Sequence, residues 1–363
     1  MNTSENIKCV KLKEELARRI VSGEFPFNSR FPGVHQLVDE YGVSYVTGLK
    51  SLKLLEDEGF LQCRRGKGYF TLYSGGAEKP KAKKLNLVLH EECWQKYSDH
   101  LEQNLARFRQ AGWSIEVVPL NTTDVQEASV AINSPDAYTL IYCLSSDWGG
   151  FAATFSQVCS RVVVLGKLSG SPLVTSIVCD EAETVRQIVE YLKAQGRTRP
   201  GLFCSSQENE LEMYRLGYWR LALQQAGLGM DWIQDHIFPL STGYDGVLTP
   251  DQKQEMSHQM ADYLRKNRNE IDSIIVIYSS SAFKEASRLA KARVPEKLLP
   301  VYIASPQWLD ANRSSFAMLD HNLAGHFETA FNILEYRHST GKKEPGSWYF
   351  CPPLGVRIIG LNP

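Results

Sequence analysis

The chain has 363 residues, 43% of them hydrophobic and 22% charged, with a formal net charge of −1. These values suit a globular protein of two or three folding units and exclude a disordered or fibrous chain. No run approaches the roughly 18 apolar residues of a membrane span, and the first residues hold no apolar core followed by a small-residue cleavage site, so the expected location is the cytoplasm.

The first expected helix runs from about Lys8 to Ser22, with Leu12, Leu16 and Ile20 on one face and Gly23 as its stop. A short helix over Val34–Tyr41 is followed by the turn Gly42-Val43, and Ser44 is a good N-cap for a third helix ending near Glu58. Two short strands, Phe60–Arg64 and Tyr69–Tyr73, flank the turn Arg65-Gly66-Lys67-Gly68, in which both glycines suit a tight reversal. Three helices and a basic hairpin make a winged helix-turn-helix. Residues 1–84 carry 15 Lys and Arg against 10 Asp and Glu, a charge of +5, while the remainder carries −6. A basic end beside an acidic body suits a protein that places one end on a polyanion.

The string FPGVHQLVDEYGVSYVTGLKSLKLLEDEGFLQCRRGKGYF resembles the GntR family of regulators, with its Gly-Val-Ser turn, Leu-x-x-Leu-Glu-x-Glu-Gly helix end and Arg-x-Gly-x-Gly wing, over about residues 8–73. The resemblance implies DNA contacts from His35 on the second helix, from Ser44, Tyr45, Thr47 and Lys50 on the third, and from Arg64, Arg65, Gly66 and Lys67 in the wing. His35 and Tyr45 stand where arginines are common in the family, Gly48 where a buried valine is usual, and Leu49 where an arginine often reads guanine.

The segment at 75–84 reads as a linker, which sets a DNA-binding domain at 1–74 and a second domain at 85–363. Beyond it, expected strands at Leu85–Leu89, Ile115–Leu120, Thr139–Cys143, Arg161–Leu165, Gly201–Cys204, Ile274–Tyr278 and Leu299–Ala304 alternate with helices such as Ser98–Ala111, Glu183–Gln195 and Met213–Ala226. That alternation predicts an α/β fold of doubly wound parallel sheets, with ligands beyond the carboxyl ends of strands. The eight cysteines form no metal-spaced pair and read as reduced thiols.

From Lys84 onward the chain resembles the LacI-type effector domain, the two-lobed fold of periplasmic binding proteins. The resemblance rests on Val178-Cys-Asp180, on Gln195-Gly-Arg-Thr-Arg-Pro-Gly-Leu-Phe203, on Arg215-Leu-Gly-Tyr-Trp-Arg-Leu-Ala-Leu223 and on Phe316-Ala-Met-Leu-Asp-His-Asn-Leu-Ala-Gly325. A GntR reader fused to such a sensor is the architecture of arabinose-responsive repressors. The resemblance implies a sugar or related metabolite bound between the lobes, with candidate contacts at loop ends: Trp94, Asp147, Trp148, Lys167, Asp180, Tyr214, Arg215, Tyr244, Tyr278 and Gln307. Asp180 opens a helix and also fits a cap. Tyr214 stands where the family usually carries an arginine, and Tyr278-Ser279 where it has Asn-Asp.

No Gly-x-x-x-x-Gly-Lys-Ser/Thr loop, Gly-x-Ser-x-Gly elbow or His-Glu-x-x-His pair occurs, and Glu91 and Glu92 would diverge at a strand end. No cofactor or metal is expected. The expected function is a dimeric, effector-controlled repressor of a palindromic operator. The alternatives are a small-molecule enzyme and a solute receptor of the same two-lobed fold.

Overall fold

The structure is a computed structural model that describes residues 3–22, 24–26, 28–58, 60–72, 82–120, 132, 134, 136–142, 159–168, 174–205, 210–240, 249–277, 280–304, 316–341 and 346–359. The N-terminal domain holds α1 (Thr3–Val21), α2 (Val34–Tyr41), α3 (Tyr45–Asp57), β1 (Leu61–Arg64) and β2 (Gly68–Thr71). The expected winged helix-turn-helix is present, and α1 starts five residues before the predicted Lys8 because the apolar repeat that marks it begins only at Cys9.

Its core is the set that helical and strand periodicity put inside: Leu12, Leu16, Ile20, Phe31, Leu37, Leu52, Leu55, Phe60 and Leu61, all buried. Polar clips tie the helices together. Arg19 on α1 donates to Glu40 and Tyr41 and, through Nε at 2.8 Å, to Glu24. Ser51 Oγ on α3 donates to the Cys9 carbonyl at 3.0 Å. On the wing, β1 and β2 pair antiparallel from Leu61↔Thr71 to Arg64↔Gly68, and Glu56 accepts the Cys63 amide at 2.8 Å.

Gly48 lies where α2 and α3 meet. A Cβ built there would sit 3.2 Å from Val34 Cγ2 and 3.7 Å from both the Val34 carbonyl oxygen and Val38 Cγ2. Glycine costs roughly 1 kcal/mol against alanine inside a helix. Here it lets two helices approach more closely than a branched side chain permits.

Among the described residues beyond the wing the chain forms two six-stranded sheets. The remaining elements are β3 (Lys84–His90), α4 (Glu91–Gln110), β4 (Ser114–Leu120), β5 (Tyr138–Tyr142), β6 (Val162–Leu165), β7 (Thr175–Cys179), α5 (Glu181–Ala194), β8 (Pro200–Ser205), α6 (Glu210–Gln225), α7 (Met230–Asp235), β9 (Ile237–Leu240), α8 (Pro250–Asn267), β10 (Ser273–Ile277), α9 (Ser280–Ala290), β11 (Leu299–Ala304), β12 (Phe316–Asp320), α10 (Leu323–Thr340), β13 (Trp348–Cys351) and β14 (Val356–Ile359). By packing, the chain divides into one unit of residues 1–94, 105–177 and 328–349 and a second of residues 95–104, 178–327 and 350–363.

In the first unit the sheet order is β13-β7-β6-β5-β3-β4, with β3 to β7 pairing in parallel. Just before β3, Lys83 is fixed: its Nζ lies 2.7 and 3.0 Å from the Glu335 carboxylate oxygens and 3.1 Å from the Ala111 carbonyl. Trp113 Nε1 donates to the same carboxylate at 2.8 Å. Burial alone would raise the Glu335 pKa, but the two donors hold it below the usual range.

In the second unit the sheet order is β14-β12-β11-β10-β8-β9, parallel except for the antiparallel β12–β14 pair. Alternate residues of each strand enter separate cores. Phe203, Ile274, Val276, Tyr302 and Met318 pack with Met260 and Leu264 of α8 and Phe283 of α9. Leu202, Cys204, Ile275, Ile277, Val301, Ile303 and Leu319 pack with Val185 and Ile188 of α5 and Trp219 and Leu223 of α6. Strands buried on both faces read as uninterrupted apolar runs, which is why the sequence marks them.

One expectation is corrected. Glu91 and Glu92 stand in the first turn of α4, not at a strand end, and Trp94 is therefore on a helix and not at a loop end. The apolar pattern that suggests a start at Ser98 misses the earlier turns, and Tyr97 departs from helical geometry with φ −128° and ψ 15°.

Replacing Gly48 by valine should lower stability by about 1–3 kcal/mol through overpacking against Val34 and Val38, read as an earlier urea midpoint. A midpoint equal to that of the parent would show that α2 and α3 have room to spare.

Candidate functional site

The turn between α2 and α3 is built by local chemistry. Gly42 closes α2 with a left-handed φ of 61°, and Ser44 caps α3 by accepting the Thr47 amide at 3.2 Å. Ser44 and Thr47 also join hydroxyl to hydroxyl at 2.9 Å. Thr47 is thereby corrected as a base contact, because it is 3% exposed and turned inward.

The outward surface of α3 carries Tyr45, Val46, Leu49 and Lys53, all exposed, with Lys50 half-buried beside them. His35 on α2 is exposed, and its ring lies 5.3 Å from that of Tyr45. Sequence reasoning does not pick out Val46 or Lys53, and it treats Leu49 only as a departure. An apolar residue in a helix reads as core unless the position of the partner helices is known.

The wing turn is held by the Lys67 amide donating to the Arg64 carbonyl at 2.8 Å, with Gly66 at φ 73° and Gly68 at φ 90°. Those two angles are costly for residues with a Cβ. Arg65 and Lys67 are exposed at the tip. Arg64 is engaged within the domain: its guanidinium lies 4.3 Å from the Phe70 ring centroid and donates to Asn28 Oδ1 at 2.5 Å.

Of the effector-domain candidates, Asp147, Trp148, Tyr244, Tyr278 and Gln307 lie outside the described residues. In the first unit, Trp94 is half-buried on α4 and Lys167 is half-buried just after β6. In the second unit, Asp180 caps α5, its Oδ1 accepting the Glu183 amide at 3.1 Å. Tyr214 is 45% exposed on α6.

Arg215 is buried and grips Glu181 through Nε at 2.7 Å and Nη2 at 2.6 Å. His321, which follows β12, is also buried, and its pKa is held well below the ordinary value by burial first and then by the charge of Arg215 and by His326. His326, on α10, is lowered to about 4 by burial. The sequence reading passes over Glu181, His321 and His326. Arg215 and Glu181 are 34 residues apart, and no local spacing signals such a pair.

Residues 9–71 match the profile described as "Bacterial regulatory proteins, gntR family". These residues form a GntR-family helix-turn-helix domain. A comparison with curated protein sequences finds no match. Among solved structures the chain is similar to the transcriptional regulator CelR–cellobiose complex, at 14% identity and TM-score 0.61, covering 90% of this chain and 98% of that one. It is also similar to a LacI family transcriptional regulator from Mycobacterium smegmatis, at 13% identity and TM-score 0.60, covering 76% and 96%. A dimeric Lac repressor matches at 16% identity and TM-score 0.54, covering 77% and 100%. At these identities the shared property is the fold alone, that of LacI-type two-lobed regulators, while the GntR match rests on residues 9–71.

Two outcomes follow for the buried charges. Glu181→Gln leaves Arg215 without its carboxylate and should cost about 3–5 kcal/mol, with part of the loss recovered when Arg215→Met is added; a single variant as stable as the parent would contradict the pairing. Above about pH 6.5 neither folded nor unfolded histidine binds the extra proton. Below it the unfolded chain gains protons that buried His321 and His326 refuse, so stability should fall as pH drops toward about 4, by about 3 kcal/mol for His326 alone. Denaturant midpoints from pH 7.5 to 4.5 measure this, and His326→Met should flatten the curve.

Proposed function

We propose that this protein is a cytoplasmic transcription regulator that binds duplex DNA through residues 9–71 and is controlled by a small molecule held by its LacI-type domain. The observation that carries the reading is the pairing of an outward, Ser44-capped α3 with a wing turn that exposes Arg65 and Lys67. A helix of this diameter fits a major groove, and a cationic hairpin beside it meets the phosphate backbone. His35, Ser44, Tyr45 and Lys50 are the proposed contacts around α3, with Arg64, Arg65, Gly66 and Lys67 in the wing.

Binding as a homodimer to a palindromic operator is part of the proposal, because a two-fold protein reads two half-sites. The effector class is a sugar or related metabolite; the CelR structure to which this chain is similar holds cellobiose. Trp94, Lys167, Asp180, Tyr214 and Arg215 are the proposed ligand contacts among the described residues. Effector binding relieves repression by favouring one arrangement of the sensing domain over another. The protein is not an enzyme in this reading, and no helix among the described residues is long and apolar enough to cross a membrane.

Gel-shift titrations of the full chain against duplex pools test the reading, together with a thermal-shift screen of sugars, in which a true effector raises the melting temperature by mass action. The Arg65→Ala, Lys67→Ala double variant should bind about 10–100-fold more weakly and lose about two units of salt slope, with its melting temperature unchanged. Absence of any salt-sensitive duplex binding by the parent would overturn the proposal.

A further inference from the structure

Three large apolar side chains stand bare on one side of α3. Tyr45 is 48%, Val46 50% and Leu49 43% exposed, whereas Leu52 and Leu55 of the same helix are fully buried. Tyr45 has a neighbour in the His35 ring. Val46 and Leu49 are not needed for the core, which closes beneath them on Gly48, Leu52 and Leu55.

The surroundings indicate what covers this face. From Tyr45 to Leu55 the helix contains no acid and has lysines at 50 and 53, and the wing adds Arg65 and Lys67. That charge selects a polyanion over an ordinary protein surface. Within a major groove, each base edge presents hydrogen-bond donors, acceptors or both, and thymine alone adds an apolar group, its C5-methyl. The helix carries no Arg, Asn or Gln anywhere in its 13 residues, so it lacks the side chains that read adenine in bidentate fashion and leaves guanine to Lys50 and Lys53 alone. Val46 and Leu49 are three residues apart, about 4.5 Å along a helix axis, against about 3.4 Å per base step. They reach neighbouring steps.

We infer that Val46 and Leu49 are specificity-determining residues that pack on the 5-methyl groups of neighbouring thymines in each operator half-site. This inference rests on the DNA-binding reading above. It makes thymine-containing steps the centre of each half-site and leaves sequence-independent affinity to the basic wing.

The test uses the full chain and a duplex selected from a random-sequence pool. Each thymine of the selected site is replaced singly by deoxyuridine, which removes the methyl group and leaves all hydrogen-bonding groups in place. At one or two positions per half-site, binding should weaken about three- to tenfold, the effect of losing a buried methyl contact. In Val46→Ala or Leu49→Ala, thymine and deoxyuridine should bind equally at the corresponding position, with the melting temperature unchanged because both sites are exposed. A selected site bound equally with deoxyuridine at every position would overturn the inference and leave the regulator reading standing. So would variants that keep the full discrimination. If the pool yields no selective duplex, both fall. The deoxyuridine comparison on the parent protein stands whether or not either variant folds.

Discussion

The close approach of α2 and α3 at Gly48 is the constraint on which the DNA-reading end depends. With no side chain there, Val34 and Val38 press against the α3 backbone, and the rotation of α3 about its own axis is set. Thr47, Ser51, Leu52 and Leu55 then face inward, and Tyr45, Val46, Leu49 and Lys53 face outward. The Ser44 cap fixes where the helix begins, and the Ser51 bond to the Cys9 carbonyl fixes it against α1. A reader needs its side chains held to within a fraction of an ångström, and that precision comes from the packing beneath the exposed face.

The region beyond the wing follows a different logic. Its second unit buries a full ion pair, Arg215 with Glu181, together with two histidines that stay neutral. Burying such a pair gains little over a well-packed apolar pair, whereas breaking it is costly. The arrangement therefore enforces a specific geometry more than it adds stability. Glu181 follows β7 and His321 follows β12, so these two buried polar side chains stand where strands end and helices begin. In α/β proteins those are the positions at which polar side chains converge.

What could be read from the sequence follows the range of the interactions. Gly42, Ser44, Gly66 and Gly68 act through their own backbone or a neighbour's, and each lies where local chemistry put it. The double-sided strands of the second unit announce themselves as apolar runs. The four-residue edge strands β9, β13 and β14 are too short for any periodicity to register. Thr47 was legible as a helix residue but not as one whose hydroxyl turns inward to Ser44. Val46 and Leu49 carry the opposite ambiguity: apolar by composition, they are outward by tertiary placement. Glu181 with Arg215, and Lys83 with Glu335, join residues 34 and 252 positions apart, distances at which sequence pattern carries no information.

The reader also separates two tasks that many DNA-binding surfaces mix. Cations at the wing tip attract phosphates and release counterions, so their contribution depends steeply on salt and hardly on sequence. Apolar contacts with thymine methyls gain by excluding water, so their contribution depends on sequence and little on salt. A helix that reads with Val46 and Leu49 in place of cations therefore adds discrimination without adding non-specific affinity. The discrimination from a few methyl contacts is small for one reader, since a mismatch at a contacted base pair costs about 1–3 kcal/mol, and selecting one site in a genome needs several such terms. In the proposed dimer, doubling the reader on a two-fold axis supplies them. In the proposed regulator, a domain that holds two readers acts on DNA affinity by changing how they are held, with the face of α3 itself unaltered.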